Sequence, residues 1–321
     1  MSIESLYNNY LSNIISKHKY IRESYKNQKI IFEIQKFLRG SDVRQITITD
    51  KEIIFKILAC EKDSFVNMTL DRDDSRFIPI EIFNFKKYES DVANFIYFIA
   101  RKSKNIIDIG ANIGWYSLNF NLIKNVKSIH AFEVIPRNFK FLQHNIKINN
   151  SIKIIPNNVA LSDSTGKSFF FWTKKETGSA SMRNNQKRRS VNKLLCKTTT
   201  LDNYIKNTNL KIDLIKCDVE GSELLVFKGS HLSLKKYRPV VFTEMLRKWS
   251  KNFGYHPNEI INFFNKIDYS CYAVQKKNKR MGTSIFVKIQ KITNTTIPTN
   301  FFFLHNIKHQ NLLRQLNRIK N

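Results

Sequence analysis

The stretch NIIDIGANIG, residues 105–114, decides the fold. Its first half is a short apolar run that predicts a buried strand, and the residues after it predict a helix. Gly110 and Gly114 lie in the connection, where glycine permits a tight turn and lets the backbone approach a ligand closely. The spacing differs from the GxGxxG dinucleotide fingerprint, because Asn112 and Trp115 stand where that pattern needs glycine. The turn therefore indicates a ligand site and disfavours a nicotinamide dinucleotide.

Outward from this turn, strands and helices alternate along the chain. The predicted strands are 105–109, 128–132, 153–155, 212–218, 239–244 and a final pair around Tyr272 and 285–287. The predicted helices are 88–103, with Ser90 and Asp91 as candidate caps, 112–123, 136–149, 200–205, one that begins at Gly221 and Ser222, and 257–267. This alternation is typical of a doubly wound, mostly parallel α/β sheet. Ligands bind such sheets at the carboxyl ends of the strands, so the residues that follow each strand are the candidates for function.

Two further segments precede the alternating region. Apolar residues three and four apart predict one or two amphipathic helices over residues 4–38, and Gly40 ends them. From Gln45 the pattern changes to alternation, which predicts two or three strands. We therefore divide the chain into a helical N-terminal extension (1–40), a small β unit (41–88), an α/β domain (89–290) and a basic C-terminal tail (291–321).

The composition predicts a folded protein of the cytoplasm. The 321 residues are 42% hydrophobic and include 25 Phe and 12 Tyr, which supplies a large core and excludes wholesale disorder. No apolar run approaches the roughly 18 residues that span a bilayer. Residues 1–20 lack the continuous apolar stretch of a signal peptide. The cysteines lie far apart and form neither a disulfide framework nor a CxxC pair, which fits a reducing compartment: Cys60, Cys196, Cys217 and Cys271.

The net charge of +28, from 54 basic and 26 acidic residues, has two interpretations. A basic surface concentrates phosphate-rich partners, which would be nucleic acid, anionic lipid or an acidic glycan. Alternatively, a composition rich in Lys, Asn and Ile places lysines on solvated faces without a role in recognition. The densest cluster, Lys187 to Arg189, lies in the polar stretch 174–197, which predicts an exposed loop. The ten Lys or Arg residues after Asp268 predict a basic C-terminal face.

Phe132 and Glu133 end the second strand of the alternating region. An acidic side chain at this position can accept hydrogen bonds from both hydroxyls of a ribose that lies across the first turn. A glycine turn followed by a strand-terminal glutamate is the arrangement expected for an adenosine. The alternative is a surface carboxylate that caps the helix beginning near Pro136.

Six motifs together resemble a known family. In order and spacing, NIIDIGANIGWYSLNF, HAFEVIPRNFKFLQHNIKINN, NNVALSDSTG, TLDNYI, IDLIKCDVEGSELLVFKGS and YRPVVFTEM are similar to the motifs of the FkbM family of S-adenosylmethionine-dependent methyltransferases. The resemblance covers residues 88–245 and rests on the series, because no single motif suffices. The chain departs from the family at Val134, where proline is frequent, and at Cys217, where an aliphatic residue is common.

The resemblance implies a fold, a cofactor and a reaction. The fold is a class I methyltransferase, a Rossmann-like doubly wound sheet, over residues 89–290. The cofactor is S-adenosylmethionine, and the reaction is methyl transfer, typically to a hydroxyl oxygen of a saccharide or natural product. The partner is therefore expected to be a small-molecule or glycan acceptor.

The resemblance also implies the residues that hold the cofactor. Asp108, Gly110, Asn112 and Gly114 match the segment around its methionine part. Glu133 matches the residue on its ribose.

Two further segments match the family. Asn158, Ala160 and Ser162, with Asp163 behind them, match the segment that closes over the adenine. Asp218, Glu220 and Glu223 match the segment at the end of the strand 212–218, which brings Asp218 beside the sulfonium. Glu223 is alternatively a charge on a helix face.

The mechanism follows from the cofactor. The sulfonium methyl is already activated, so the enzyme must align an oxygen nucleophile and remove its proton. An alcohol is not ionised at pH 7, and the candidate bases that follow strands are Asp218, Glu220, Glu244 and His256. Asp218 matches the position beside the sulfonium, where it can also contact the cofactor. An imidazole titrates near neutrality, although His256 alternatively marks the start of a helix. Glu89 matches a family position that helps to close the site.

Two other functions compete with this one. A nucleic-acid methyltransferase would account for the charge of +28. However, the chain lacks the Asn/Asp-Pro-Pro-aromatic sequence that grips an exocyclic base amine, and Cys217 does not follow proline as a pyrimidine-attacking cysteine would. A catalytically inactive module would bind anionic partners or surfaces through its basic regions, but both glycines and Glu133 are retained. We predict no metal, because no acidic residue follows Asp268 to complete a site with His305 and His309, which have the i, i+4 spacing of ligands.

Overall fold

A central sheet of eight strands carries the turn at residues 105–114. The computed structural model describes residues 2–185, 191–276 and 284–319. The strands are β1 (Val43–Ile48), β2 (Ile53–Leu58), β3 (Phe65–Thr69), β4 (Asn105–Ile109), β5 (Ser128–Phe132), β6 (Ile154–Asn157), β7 (Ala160–Leu161), β8 (Gly166–Thr173), β9 (Glu176–Ser181), β10 (Asn192–Thr199), β11 (Leu214–Cys217), β12 (Val240–Glu244), β13 (Tyr269–Lys276), β14 (Ser284–Ile289) and β15 (Asn300–His305). The helices are α1 (Ile3–Leu11), α2 (Lys17–Leu38), α3 (Ile78–Phe85), α4 (Ser90–Ala100), α5 (Trp115–Leu122), α6 (Pro136–Ile148), α7 (Leu201–Thr208), α8 (Glu223–Lys228), α9 (His231–Tyr237), α10 (Arg247–Ser250), α11 (Asn258–Asn265) and α12 (Gln310–Leu316), with a 3-10 turn at Lys251–Phe253.

The strand order of the central sheet is β14-β13-β15-β12-β11-β4-β5-β6. The strands from β12 to β6 pair in parallel, and β15 is antiparallel to both of its neighbours. The register pairs Asp108 with Ala131 on one side and with Lys216 on the other. The carboxyl ends of β4, β5 and β11 therefore meet at one edge. The doubly wound, mostly parallel sheet predicted from the sequence is confirmed.

Both faces of this sheet are buried, as is usual for parallel strands. In β4, Ile106 packs into one hydrophobic cluster, whereas Ile107 and Ile109 pack into the cluster on the other face. Phe242 and Val241 of β12 divide in the same way. A central strand therefore needs a nearly continuous apolar sequence, which is why the pattern at 105–109 predicts it well.

The strand β15 lies between β12 and β13, inside the sheet. Phe301, Phe302 and Phe303 are each fully buried and contribute to both hydrophobic clusters. The insertion of β15 into the sheet contradicts the expectation that residues 291–321 form a basic tail. A short apolar run far from its pairing partners gives no local sign of where it inserts, because the register is set by tertiary packing.

The small β unit is joined to the domain, whereas the N-terminal helices lie on its surface. Strands β1, β2 and β3, which lie where two or three strands were predicted, form an antiparallel sheet. The Arg137 guanidinium donates to both oxygens of Asp71, at 2.8 and 2.6 Å, and to Asp73 at 3.0 Å. In α1 only Leu6 is buried, and α2 has no buried residue. The helices α1 and α2 match the predicted pair and end before Gly40.

A third sheet, in the order β7-β10-β8-β9, covers the carboxyl edge of the central one. Its strand β9 is held there because Ser181 Oγ donates to the carbonyl oxygen of Glu220 at 2.8 Å. Residues 174–197, expected to form an exposed loop, therefore contain β9 and most of β10 instead. The prediction is wrong because a strand with a solvated face carries many polar side chains. Lys187 to Arg189 lie outside the described residues.

Two helix starts also differ from the predictions. The helix α5 begins at Trp115 rather than at residue 112, because Asn112 (φ 51°) and Gly114 (φ 97°) have left-handed backbones. The helix α4 begins at Ser90, and its N-cap is Glu89 (φ 42°), so the predicted caps are one or two residues too late. Among the described helices, none combines the length and the apolar character that a bilayer-spanning segment needs.

Candidate active site

The turn after β4 is fixed by the buried side chain of Lys216. Its Nζ donates to the carbonyl oxygen of Gly110 at 2.8 Å and lies 3.5 Å from Asp108 Oδ1 and 3.8 Å from Asp218 Oδ2. Burial opposes the charged ammonium, but the two aspartates outweigh it and hold the pKa of Lys216 above its ordinary value. Asp108 Oδ2 also accepts from Ser117 Oγ at 2.6 Å. These contacts tie β4, α5 and β11 together at the sheet edge.

Glu133 joins the turn after β4 to the loop after β5. Its Oε2 accepts from the backbone N–H of Asn112 at 2.9 Å, and its Oε1 accepts from the backbone N–H of Ile135 at 2.8 Å. Burial raises the pKa of Glu133 to about 7, although these N–H groups and Lys216 lower it. A carboxylate oxygen has two lone pairs, so each oxygen keeps the capacity to accept from a ligand hydroxyl. Glu133 is buried and is not the surface carboxylate of the alternative interpretation.

The glycines of the turn are required by the protein's own packing. A Cβ on Gly110, whose φ is +73°, would lie 1.8 Å from the carbonyl oxygen of Asp218. A Cβ on Gly114 would lie 2.7 Å from Leu142 Cδ1. The packing of the turn therefore requires glycine at both positions, whether or not a ligand also approaches them.

Two clefts meet at this edge of the sheet. The first is bounded by the ends of β4 and β5, by β9 and by the loop after β11. The second extends from there to α3 and α10. Four residues line both clefts: Asn112, Gly178, Asp218 and Glu220. Molecules bound in the two clefts would therefore meet at these residues.

The lining of the first cleft is partly polar and partly apolar. Asn112 and Glu133 are among its polar residues, and the Oδ1 atom of Asn112 is buried without a hydrogen-bond partner. Val159, Leu161 and Phe170 are among its apolar residues. Such a cleft suits a ligand that combines a flat apolar group with hydroxyl and amino groups.

The second cleft is rich in carboxylates. Burial, reinforced by Asp218, raises the pKa of Glu220 to about 8 and that of Glu244 to about 9. Burial also raises the pKa of Glu89, whose Oε2 accepts from the Tyr116 hydroxyl. The predicted residues Asp218, Glu220, Glu244 and Glu89 are thus brought together.

Two of the predicted adenine-side residues do not line the clefts. Asn158 Nδ2 donates to the carbonyl oxygens of Glu133 at 2.8 Å and of Val134 at 3.2 Å. Ser162 is buried, and its Oγ donates to Asp163 at 3.2 Å. Both support the loops, and Ala160 between them does line the first cleft.

Three other predicted or considered positions have local roles. Glu223 Oε1 accepts from the backbone N–H groups of Val219 at 3.3 Å and Gly221 at 3.0 Å, so it organises the loop after β11. His256 is exposed, lines neither cleft, and its Nδ1 accepts from a backbone N–H in the first turn of α11 at 3.2 Å. The Nδ1 of His309 accepts from the backbone N–H of His305 at 2.9 Å, which closes the turn after β15.

Two functional features were missed in the sequence. Lys216 stands inside the apolar strand IDLIKCD, and a lysine in a buried strand is a signal that could have been used. The strand β9 gave no such signal, although Gly178 lines both clefts and Thr177 accepts from Asn138 Nδ2 at 3.2 Å. A Cβ on Gly178 would lie 3.2 Å from Asn112 Nδ2, so this glycine lets β9 approach the turn.

Comparison with solved structures finds similar folds at low identity. An FkbM methyltransferase from Methylobacillus flagellatus is 17% identical over 63% of this chain and 43% of its own, with a TM-score of 0.38. TYW2 from M. jannaschii, in complex with AdoMet, is 16% identical over 81% of this chain and 89% of its own, with a TM-score of 0.34. Cofactor-bound Rv0187 from MTB is 7% identical over 68% of this chain and 82% of its own, with a TM-score of 0.40. The match spans less than half the length of the Methylobacillus flagellatus protein.

The family itself is shown by the sequence. No curated protein matches the chain. The family model for the methyltransferase FkbM domain matches residues 108–271, about half of the chain, from the Asp108 strand end to β13. The chain therefore belongs to the FkbM methyltransferase family, whose methyl donor is S-adenosylmethionine.

Proposed function

We propose that the protein transfers a methyl group to a hydroxyl oxygen of a saccharide or another polyhydroxylated natural product. The observation that carries this proposal is the junction of the two clefts at Asn112, Gly178, Asp218 and Glu220. A methyl donor in the first cleft and an acceptor in the second would meet there. Holding the two reactants in contact supplies much of the catalysis in such a transfer.

The first cleft fits S-adenosylmethionine. The buried and unpartnered Oδ1 of Asn112 is an acceptor for the amino group of the methionine part. Glu133 keeps lone pairs for the ribose hydroxyls, and the apolar wall of Val159, Leu161 and Phe170 suits the adenine. When bound, the cofactor supplies an activated methyl group on a positively charged sulfur.

The remaining residues that the family resemblance implies fall into two groups. Gly110 and Asp218 line the first cleft and are placed to contact the cofactor. The others do not line it, and we assign them to holding the turn and the strand ends in place: Asp108, Gly114, Asn158 and Ser162.

We assign Asp218 as the general base. It lies where the clefts meet, and the Lys216 ammonium is 3.8 Å from its Oδ2. Burial raises the pKa values of Glu220 and Glu244 to about 8 and about 9, so both favour the protonated form in the ligand-free protein and are poorer candidates for the base. His256 lies outside both clefts. Asp218 would accept the hydroxyl proton of the acceptor as its oxygen attacks the methyl carbon.

The walls of the second cleft suit a neutral acceptor with many hydroxyls. Phe85, Tyr88 and Trp249 offer aromatic faces, and carboxylates accept hydrogen bonds from hydroxyls. Six acidic residues line this cleft against three basic ones, Arg76, Lys87 and Lys248: Glu81, Glu89, Glu176, Asp218, Glu220 and Glu244. Even with Glu220 and Glu244 protonated, this cleft has no excess of positive charge, which a site for the phosphate groups of a nucleic acid needs. The basic residues that give the chain its net charge of +28 are therefore not concentrated in the second cleft.

The test measures labelled methyl transfer from S-adenosylmethionine to hydroxylated glycan fragments and, in parallel, to RNA. We expect transfer to a glycan fragment and none to RNA. Transfer to RNA alone would refute the proposed acceptor class.

With an accepted substrate, Asp218→Asn should lower kcat by about 10² to 10⁴ if Asp218 is the base. The control His256→Ala should retain full turnover, because His256 lines neither cleft. Calorimetry separates the two roles of Asp218, since loss of cofactor affinity in parallel with turnover would indicate a binding role. Full turnover in Asp218→Asn would rule it out as the base.

A further inference from the structure

Three carboxylates gather on the wall of the second cleft. Asp218 and Glu220 follow β11, and Glu244 ends β12, the next strand of the sheet. One carboxylate oxygen of each residue lies within 4.8 Å of the corresponding oxygens of the other two. The parallel strands bring these residues to the same edge although they are far apart in the sequence.

One oxygen of this cluster lacks any partner. The Oε2 atom of Glu220 is buried from solvent and forms no hydrogen bond. The backbone of Glu220 is fixed, since its carbonyl oxygen accepts from Ser181 Oγ and from Asn185 Nδ2, both at 2.8 Å. Leaving a buried carboxylate oxygen without a partner is costly. This atom therefore points to a ligand that is not part of the chain.

Few basic side chains lie close to these groups. Lys216 is shared between Asp108 and Asp218. Lys248 and Arg76 interact electrostatically with Glu220, but from beyond ion-pair distance. Among the described residues, no ion pair within 4.0 Å involves Glu220 or Glu244. A bound cation would displace the protons that these two groups favour in the ligand-free protein. A positively charged ligand would correct the imbalance.

We propose that Asp218, Glu220 and Glu244 bind one divalent cation that prefers oxygen ligands, which would be Mg²⁺, Mn²⁺ or Ca²⁺. Three equally spaced oxygens that share one cation lie no further apart than about 3.6 Å for Mg²⁺ and about 4.5 Å for Ca²⁺. The three oxygens lie within 4.8 Å of one another, so at this upper limit the cluster needs a small closure for Ca²⁺ and a larger one for Mg²⁺ or Mn²⁺. Three protein ligands leave coordination positions for solvent or for oxygens of the acceptor.

The role of the cation rests on the proposed methyl transfer. A divalent cation lowers the pKa of an oxygen ligand that it binds. An acceptor hydroxyl on the cation would therefore lose its proton more readily. Each protein ligand uses one oxygen, so the second oxygen of Asp218 remains available to accept that proton.

The test uses Mn²⁺ as a spin probe, because its electron paramagnetic resonance signal decreases when the ion binds. The full chain is titrated with and without S-adenosylmethionine, and Mg²⁺ and Ca²⁺ are added as competitors. The variants are Glu220→Gln and Glu244→Gln, with Glu81→Gln as the matched control. Glu81 lines the same cleft but pairs with Arg76 at 3.2 Å and lies outside the cluster.

We expect one Mn²⁺ per chain, bound about tenfold or more weakly by each cluster variant and as in the wild type by Glu81→Gln. Competition identifies the cation that the site prefers. No binding by the folded wild type at millimolar Mn²⁺, or equal binding by all variants, overturns the proposal. Calorimetry with S-adenosylmethionine on the same samples keeps the two hypotheses apart, since retained cofactor binding without Mn²⁺ binding refutes the cation site alone.

Discussion

At the scale of single residues, Glu133 has two roles to test, because it accepts hydrogen bonds from the backbone and is proposed to bind the ribose of the cofactor. Glu133→Ala should weaken S-adenosylmethionine binding by about 2 to 4 kcal/mol, because hydrogen bonds to a charged acceptor are worth roughly 1.5 to 3 kcal/mol each before competition with water. It should also lower the free energy of unfolding, since the backbone N–H groups of Asn112 and Ile135 lose their acceptor. Calorimetry measures the first effect and thermal unfolding the second. Unchanged affinity in a folded Glu133→Ala variant would contradict the ribose assignment.

Lys216 offers a second test at this scale. Lys216→Met should destabilise the protein by about 3 to 5 kcal/mol, the usual cost of leaving a buried charge without its partner. Here the affected charge is Asp108, and the carbonyl oxygen of Gly110 loses its donor as well. Chemical denaturation measures the change.

The matched control for Lys216 is the double variant Asp108→Asn with Lys216→Met. It should lose less than the sum of the two single variants, because the removed charges interact. Strict additivity would show that the ammonium and this carboxylate are not coupled.

At the scale of elements, the two ends of the chain should behave differently. Removing residues 1–38 should leave cofactor affinity unchanged and lower Tm by no more than about 4 °C, because α2 buries no residue and α1 buries only Leu6. Removing residues 291–321, a segment of similar length, should abolish cooperative unfolding. That deletion takes out β15, whose three phenylalanines are fully buried between β12 and β13. Circular dichroism melts compare the two variants, and a folded C-terminal truncation would show that β15 is dispensable.

At the scale of the whole molecule, buried acids should make stability depend on pH. The folded pKa values of Glu133 and Glu223 are about 7, that of Glu220 is about 8 and that of Glu244 is about 9. An unfolded chain has glutamate pKa values near 4.3, so the folded state binds these protons more tightly. Their contribution to stability is therefore complete below about pH 4 and is lost progressively as the pH rises towards about 9.

The measurement is Tm of the cofactor-free protein between pH 6 and pH 9. We expect a decrease with rising pH, and a smaller decrease in Glu244→Gln, which removes the group with the highest of these pKa values. Equal slopes in the two proteins would contradict the assignment of a raised pKa to Glu244. The net charge of both proteins falls as the pH rises. Comparing how Tm changes with pH in the wild type and in Glu244→Gln therefore cancels this shared effect.

The sequence by itself determined the alternation of parallel strands and helices, the family and the position of Glu133 at the end of a strand. These follow from local patterns, because a buried parallel strand needs an apolar run and a strand-to-helix turn needs residues such as Gly110 that tolerate a left-handed backbone. The six motifs add specificity because their order and spacing are fixed along the chain.

Only the tertiary structure decided which side chains share a site. It brought Glu244 to Asp218 and Glu220, left His256 outside the clefts, and placed Lys216 under the turn. It also inserted β15 into the sheet and laid β9 across its edge, although both segments resemble a tail or a loop in sequence. The physical reason is that periodicity reports the neighbours a residue has along its own element. The pairing of strands and the distances between carboxylates depend instead on how remote elements pack, which no local pattern encodes.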